Sequence, residues 1–77
     1  MTRISVVSSQ KMAAILARIG FVLIRQRGSH AYFRHADGRS AVVPMHAGED
    51  LGKGLVREIL RSIGLSVGEY DKLRRKV

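Results

Sequence analysis

The chain has no cysteine and no tryptophan, a single proline among 77 residues, and only six acidic side chains. Without cysteine there is neither a disulfide nor a thiolate metal site. The three histidines, His30, His35 and His46, lack the i,i+4 spacing of a histidine metal pair. No metal and no cofactor is therefore expected. No apolar run is long enough for a signal peptide or a membrane span, which predicts a soluble cytoplasmic protein with no membrane partner. A chain of this length buries only about 60% or slightly more of the surface it exposes unfolded. One small domain over residues 1–77, held by packing alone, is what that allows.

The shortage of acid is uneven. Fourteen Lys and Arg face six Asp and Glu for a net charge of +8, and the first acid is Asp37, so residues 1–36 carry six cations and no anion. Such a concentrated field attracts polyanions, chiefly nucleic acid. An anionic membrane surface fits less well, because no segment joins a basic face to a long apolar one.

The apolar pattern predicts an α+β domain. Met12, Ile15, Leu16 and Ile19 repeat at helical spacing, with Ser8 or Ser9 as N-cap and Gly20 as the stop. "FVLIRQR" and "HAYFR" read as strands joined by Gly28-Ser29, a pair suited to a two-residue type II′ turn. Asp37-Gly38 marks a second turn before "SAVVP", which completes a three-stranded antiparallel meander. After the loop-like "MHAGEDLGKG", Leu55, Val56, Ile59, Leu60 and Ile63 mark the apolar face of a second helix that Gly64 ends. Ser66 and Glu69 form a capping-box pattern that opens a short C-terminal helix. Both main helices have one apolar stripe and should share one sheet face. Residues 1–7 are expected to be either an extension or a loose start; the last helix runs into "DKLRRKV", whose Arg74, Arg75 and Lys76 read as a solvated tail.

A two-residue turn at Gly28-Ser29 sets Arg27 opposite His30, Arg25 opposite Tyr32 and Leu23 opposite Arg34, all on one face. Val22, Ile24, Ala31 and Phe33 then form the core side. The first set gathers cations, a histidine and a tyrosine on the open face. A histidine there suits RNA cleavage, since imidazole titrates near neutrality and can take a proton from a ribose 2′-hydroxyl or give one to the leaving 5′-oxygen. The plainer alternative for His30 is a solvated residue beside a turn, and His35 reads in the same plain way. His46 stands open between a second acid or base, a phosphate contact and a loop hydrogen-bond donor. Tyr32 either stacks a base or pairs across the strand with Arg25. Lys53, Arg57 and Arg61, four apart on the second helix, are either an RNA-binding stripe or its solvated side.

The ordered series Gly20-Phe21, "RQRGSH", "DGR", "VVPMH" and "ILRSIGLS" resembles the HicA-type mRNA interferase toxins of bacterial type II toxin-antitoxin systems, over about residues 9–70. The resemblance implies a double-stranded-RNA-binding-domain-like (dsRBD-like) fold, α-β-β-β-α, and an endoribonuclease that cleaves mRNA and inhibits translation. It implies that His30 is the active-site histidine of the Gly-Ser-His motif, that Gly28 serves the turn, and that Ser29 positions His30. A cognate HicB-type antitoxin would cover the site, and the ribosome is a further candidate partner. Where members of the family often carry a Lys-Pro-Gly-Thr-like start to the second helix, this chain has "GKGL". Two alternatives remain at this level: a non-catalytic RNA-binding module of the same fold, and a basic protein-interaction domain.

Overall fold

The computed structural model describes residues 3–77. Its elements run α1 (Ser9–Arg18), β1 (Val22–Arg27), β2 (His30–Arg34), β3 (Ser40–Pro44), α2 (Lys53–Ile63) and α3 (Val67–Lys76). The three strands form one antiparallel sheet in the order β1-β2-β3. This is the α+β, dsRBD-like arrangement expected from the sequence, with α3 appended.

Local chemistry explains the helix limits. Ser8 accepts from the Lys11 amide at 3.1 Å and so caps α1. At the other end the Phe21 amide bonds the Leu16 carbonyl and the Gly20 amide bonds that of Ala17, a Schellman closure around Gly20 at φ 97°. The same pair of bonds, Leu65 to Leu60 and Gly64 to Arg61, closes α2 around Gly64. Ser66 and Glu69 form the full capping box of α3.

The sheet departs from expectation at β1. Arg27 pairs with His30 and Arg25 with Tyr32, but an irregularity between Leu23 and Arg25 then moves Leu23 opposite Phe33 and Val22 opposite Arg34. The extra residue of this bulge is Ile24, so the expected Leu23 to Arg34 pairing is replaced. Burial departs as well. Ala31 and Phe33 of β2 are buried as expected, while Val22 and Ile24 are 64% and 56% exposed. The reason is where the helices sit: α2 packs on β3, and α1 packs on β3 and α3, which leaves β1 uncovered along its length.

The segment expected to be an extension or a loose start is docked over residues 3–7, Met1 and Thr2 lying outside the described residues. Ile4 and Val7 are buried, the Leu51 amide donates to the Val7 carbonyl at 2.8 Å, and Tyr70 Oη donates to the Ser5 carbonyl at 2.6 Å. Tyr70 is fully buried, and that burial pushes its phenol above the usual range. The last helix runs on through Lys76 as expected, with Arg75 and Lys76 exposed and Arg74 paired to Asp71 at 3.2 Å. Lys11 Nζ donates to the Val77 carbonyl, tying α1 to the end of α3.

His35, read as a surface residue, is a packing residue. Its ring meets the Phe21 ring edge-on at 5.1 Å, and Nδ1 accepts from the Asp37 amide at 3.1 Å. Arg39 lies over Phe21, 5.2 Å from the ring centroid, and Nη1 donates to the Ile63 carbonyl at the end of α2. The Arg39 amide, donating to the Asp37 carboxylate, holds that acid below its ordinary range against an opposing desolvation, with the Arg39 guanidinium and His35 adding to the lowering. The β2-β3 turn is thereby fixed to both main helices.

Candidate nucleic-acid interface and its histidine

Gly28 has φ 58° and Ser29 a negative φ, the type II′ pattern with glycine first. A Cβ on Gly28 would meet nothing within 4 Å, so the backbone alone asks for glycine there. The Ser29 carbonyl accepts from the Met45 amide at 2.6 Å, which anchors the turn to the loop after β3.

With Ala31, Phe33, Ala41 and Val43 buried beneath the helices, the alternate residues occupy the open face. The pairing sets them in cross-strand rows: Arg27, His30 and Pro44; Arg25, Tyr32 and Val42; Val22, Arg34 and Ser40. Arg25, Arg27, His30 and Arg34 are exposed, as the open-face reading requires. The guanidinium of Arg25 lies over the Tyr32 ring at 4.6 Å from its centroid, so Tyr32 is half-buried beneath a cation and makes the cross-strand pair. The His30 imidazole forms no side-chain hydrogen bond among the described residues and is open to a ligand.

Beside His30 runs a cleft of about 420 Å³ between β3 and α2. Its walls include Ser40, Val42 and Pro44 from the strand and Leu55, Glu58 and Ser62 from the helix. His30 and Glu58 are its two titratable residues. Sequence reading passed over Glu58. The available signal was its place with Leu55 and Ser62 on one flank of the α2 apolar stripe, at about 100° per residue.

Lys53, Arg57 and Arg61 fall on the opposite flank of α2, all exposed, and none lines the cleft. Structure therefore separates that stripe from His30. His46 is held through its backbone: buried Ser9 accepts from its amide at 3.2 Å and donates to its carbonyl at 3.3 Å. Its side chain is exposed and is not part of the cleft. Among the described residues no group of three His, Cys, Asp or Glu is placed to hold a metal ion, and no helix is long and apolar enough to cross a membrane.

A family model described as the HicA toxin of bacterial toxin-antitoxin systems matches residues 9–65, which run from the first residue of α1 to the Schellman closure of α2. No curated protein matches the chain at a significant level. The family match covers well over half of the chain and takes in the whole sheet, the Gly28-Ser29-His30 turn and both main helices, so the chain belongs to the HicA toxin family.

Proposed function

We propose that this toxin is an endoribonuclease that cleaves mRNA without a metal ion, with His30 as general acid or base. What carries the reading is the register of the first hairpin, in which Arg27 stands directly opposite His30 on the open face. Side chains directly opposed in an antiparallel pair have Cβ atoms about 5 Å apart, so a phosphate in contact with the imidazole is within reach of the guanidinium. Arg25 and Arg34 extend the cationic surface along the RNA backbone.

The chemistry follows from RNA itself. The 2′-oxygen attacks phosphorus as the 2′-hydroxyl proton leaves, the bond from phosphorus to the 5′-oxygen breaks, and that oxygen takes up a proton. His30 serves one of these transfers, and the arginines stabilise the charge that builds on the phosphoryl oxygens. The products are a 2′,3′-cyclic phosphate and a 5′-hydroxyl. DNA lacks the nucleophile and is not a substrate. In the same reading, Gly28 and Ser29 set the imidazole in place, a HicB-type antitoxin with an acidic surface covers the cations, and the toxin acts in the cytoplasm on free or ribosome-bound mRNA.

The test compares the wild type with His30→Ala on a long mRNA in excess EDTA, with end chemistry mapped. EDTA-resistant cleavage that falls by about 10²–10⁴-fold in the variant, leaving cyclic or 3′-phosphate ends, is expected. Intact RNA bound equally by both proteins would replace catalysis with a binding role.

A further inference from the structure

The cleft beside His30 has a feature that phosphate binding leaves unexplained. In a chain of net charge +8, its charged wall residue is a carboxylate, Glu58. Asp37 and Asp71 are committed to arginines and Glu69 to the α3 cap, whereas Glu58 makes no ion pair and no side-chain hydrogen bond among the described residues. A carboxylate repels phosphate, so the part of an RNA that rests against it must present hydrogen-bond donors. Base edges do.

The strand wall adds to this. The amide of Met45 bonds Ser29, and that of His35 bonds Arg39, at the two ends of the β2-β3 ladder. Antiparallel alternation then turns the backbone groups of Ala41 and Val43 toward β2 and those of Ser40 and Val42 outward, along the free edge that borders the cleft. Unpaired N–H and C=O groups, two serine hydroxyls and a carboxylate thus share a space with the apolar sides of Pro44, Val42 and Leu55. At about 420 Å³ the cleft falls within the usual range of small-ligand sites, roughly 300–1,000 Å³.

We propose that this cleft takes one unpaired guanine of the RNA substrate and that Glu58 selects it. Guanine is the base whose Watson–Crick edge sets two N–H donors side by side, N1–H and the N2 amino group, matching the two oxygens of a carboxylate. Adenine and cytosine place an acceptor beside their amino group, and uracil places acceptors on both sides of its one N–H. Each would set a lone pair against the carboxylate. The outward N–H of Val42 or the Ser62 hydroxyl supplies a donor for guanine O6. His30 lines the same cleft, so the selected nucleotide lies next to the scissile phosphate.

This proposal rests on the ribonuclease reading, and the experiment separates the two. Cut sites on a randomised RNA are mapped for the wild type and for Glu58→Gln, an exposed position where the swap leaves the fold intact. Guanine enriched at one fixed position beside the cut, by about tenfold or more, is expected, together with loss of that enrichment in the variant through slower cutting at guanine sites. Unbiased cutting by the wild type, enrichment retained in the variant, or a uniform fall at all sites with loss of one limb of the pH-rate profile would overturn it. The last result would make Glu58 a proton-transfer group. In parallel, both full-length proteins are titrated by NMR with the four nucleoside 3′-monophosphates. Guanosine selectivity lost in Glu58→Gln, from a wild type that cuts no RNA, would sink the ribonuclease reading and leave the base site standing.

Discussion

At the scale of single residues, two glycines with positive φ make opposite demands. Gly28, at φ 58°, has empty space where a Cβ would go, so Gly28→Ala should cost only the positive-φ backbone penalty, about 1–3 kcal/mol, and leave the fold intact. Gly20, at φ 97°, would place a Cβ 2.9 Å from Nε2 of His35, a ring already wedged on Phe21 and the Asp37 amide. Urea denaturation should therefore rank Gly20→Ala as clearly the more damaging of the two. Both glycines were legible as punctuation between periodic runs, because conformational need is local. The role of His35 was not, since it depends on Phe21 arriving from the other side of β1. Ser8 and Ser9 were equivalent as caps in the sequence; the structure uses Ser8 for the cap and buries Ser9 as a clamp on the His46 backbone.

Among elements, β1 and α3 differ most from their sequence impressions. "VLIRQR" has the composition of a half-buried strand, but composition does not tell which strand the helices will cover. Substitutions on β1 and β2 should show the difference: Ile24→Lys, on the uncovered bulge, should change stability by no more than about 0.5 kcal/mol. Phe33→Ala, in the core, should cost about 3–5 kcal/mol in the same denaturation assay. In α3 the capping box was readable from Ser66 and Glu69, whereas the importance of Tyr70 was not, because its partner Ser5 lies at the far end of the chain. The Tyr70 phenol has a raised pKa in the folded state. Its contribution to stability is thus fully present below the ordinary value of 10.0 and is lost as pH rises through the raised one. Tyr70→Phe should lose about 1 kcal/mol at neutral pH, through the missing bond to Ser5, and should no longer show that alkaline loss.

For the molecule as a whole, charge was the most legible property and its distribution the least. The sequence indicated six cations before the first acid, but only folding sends Arg25, Arg27 and Arg34 to the face that carries His30 and turns Lys53, Arg57 and Arg61 away from its cleft. Under the proposed function, the His30→Ala protein should bind single-stranded RNA without cutting it, and that binding should weaken with salt, by a slope of about 0.7 per phosphate contacted. Adding Arg27→Ala should lower that slope by about 0.7, measured by fluorescence anisotropy across a salt series. An unchanged slope would remove Arg27 from the RNA path. The docking of residues 3–7 escaped sequence reading for a related reason: Ile4 and Val7 have no periodicity of their own, and the groups their segment bonds, the Leu51 amide and the Tyr70 phenol, come from far along the chain.

That docking also bears on how the two sides of the protein depend on each other. The early segment and α3 are fastened to one another by Ser5 and Tyr70, and α1 to the end of α3 by Lys11 and Val77. Removing either the early segment or α3 uncovers buried side chains of the other, Ile4 and Val7 in the early segment and Tyr70 in α3. A chain shortened on either side should therefore lose amide protection on both, read by hydrogen exchange, rather than fray at the cut alone.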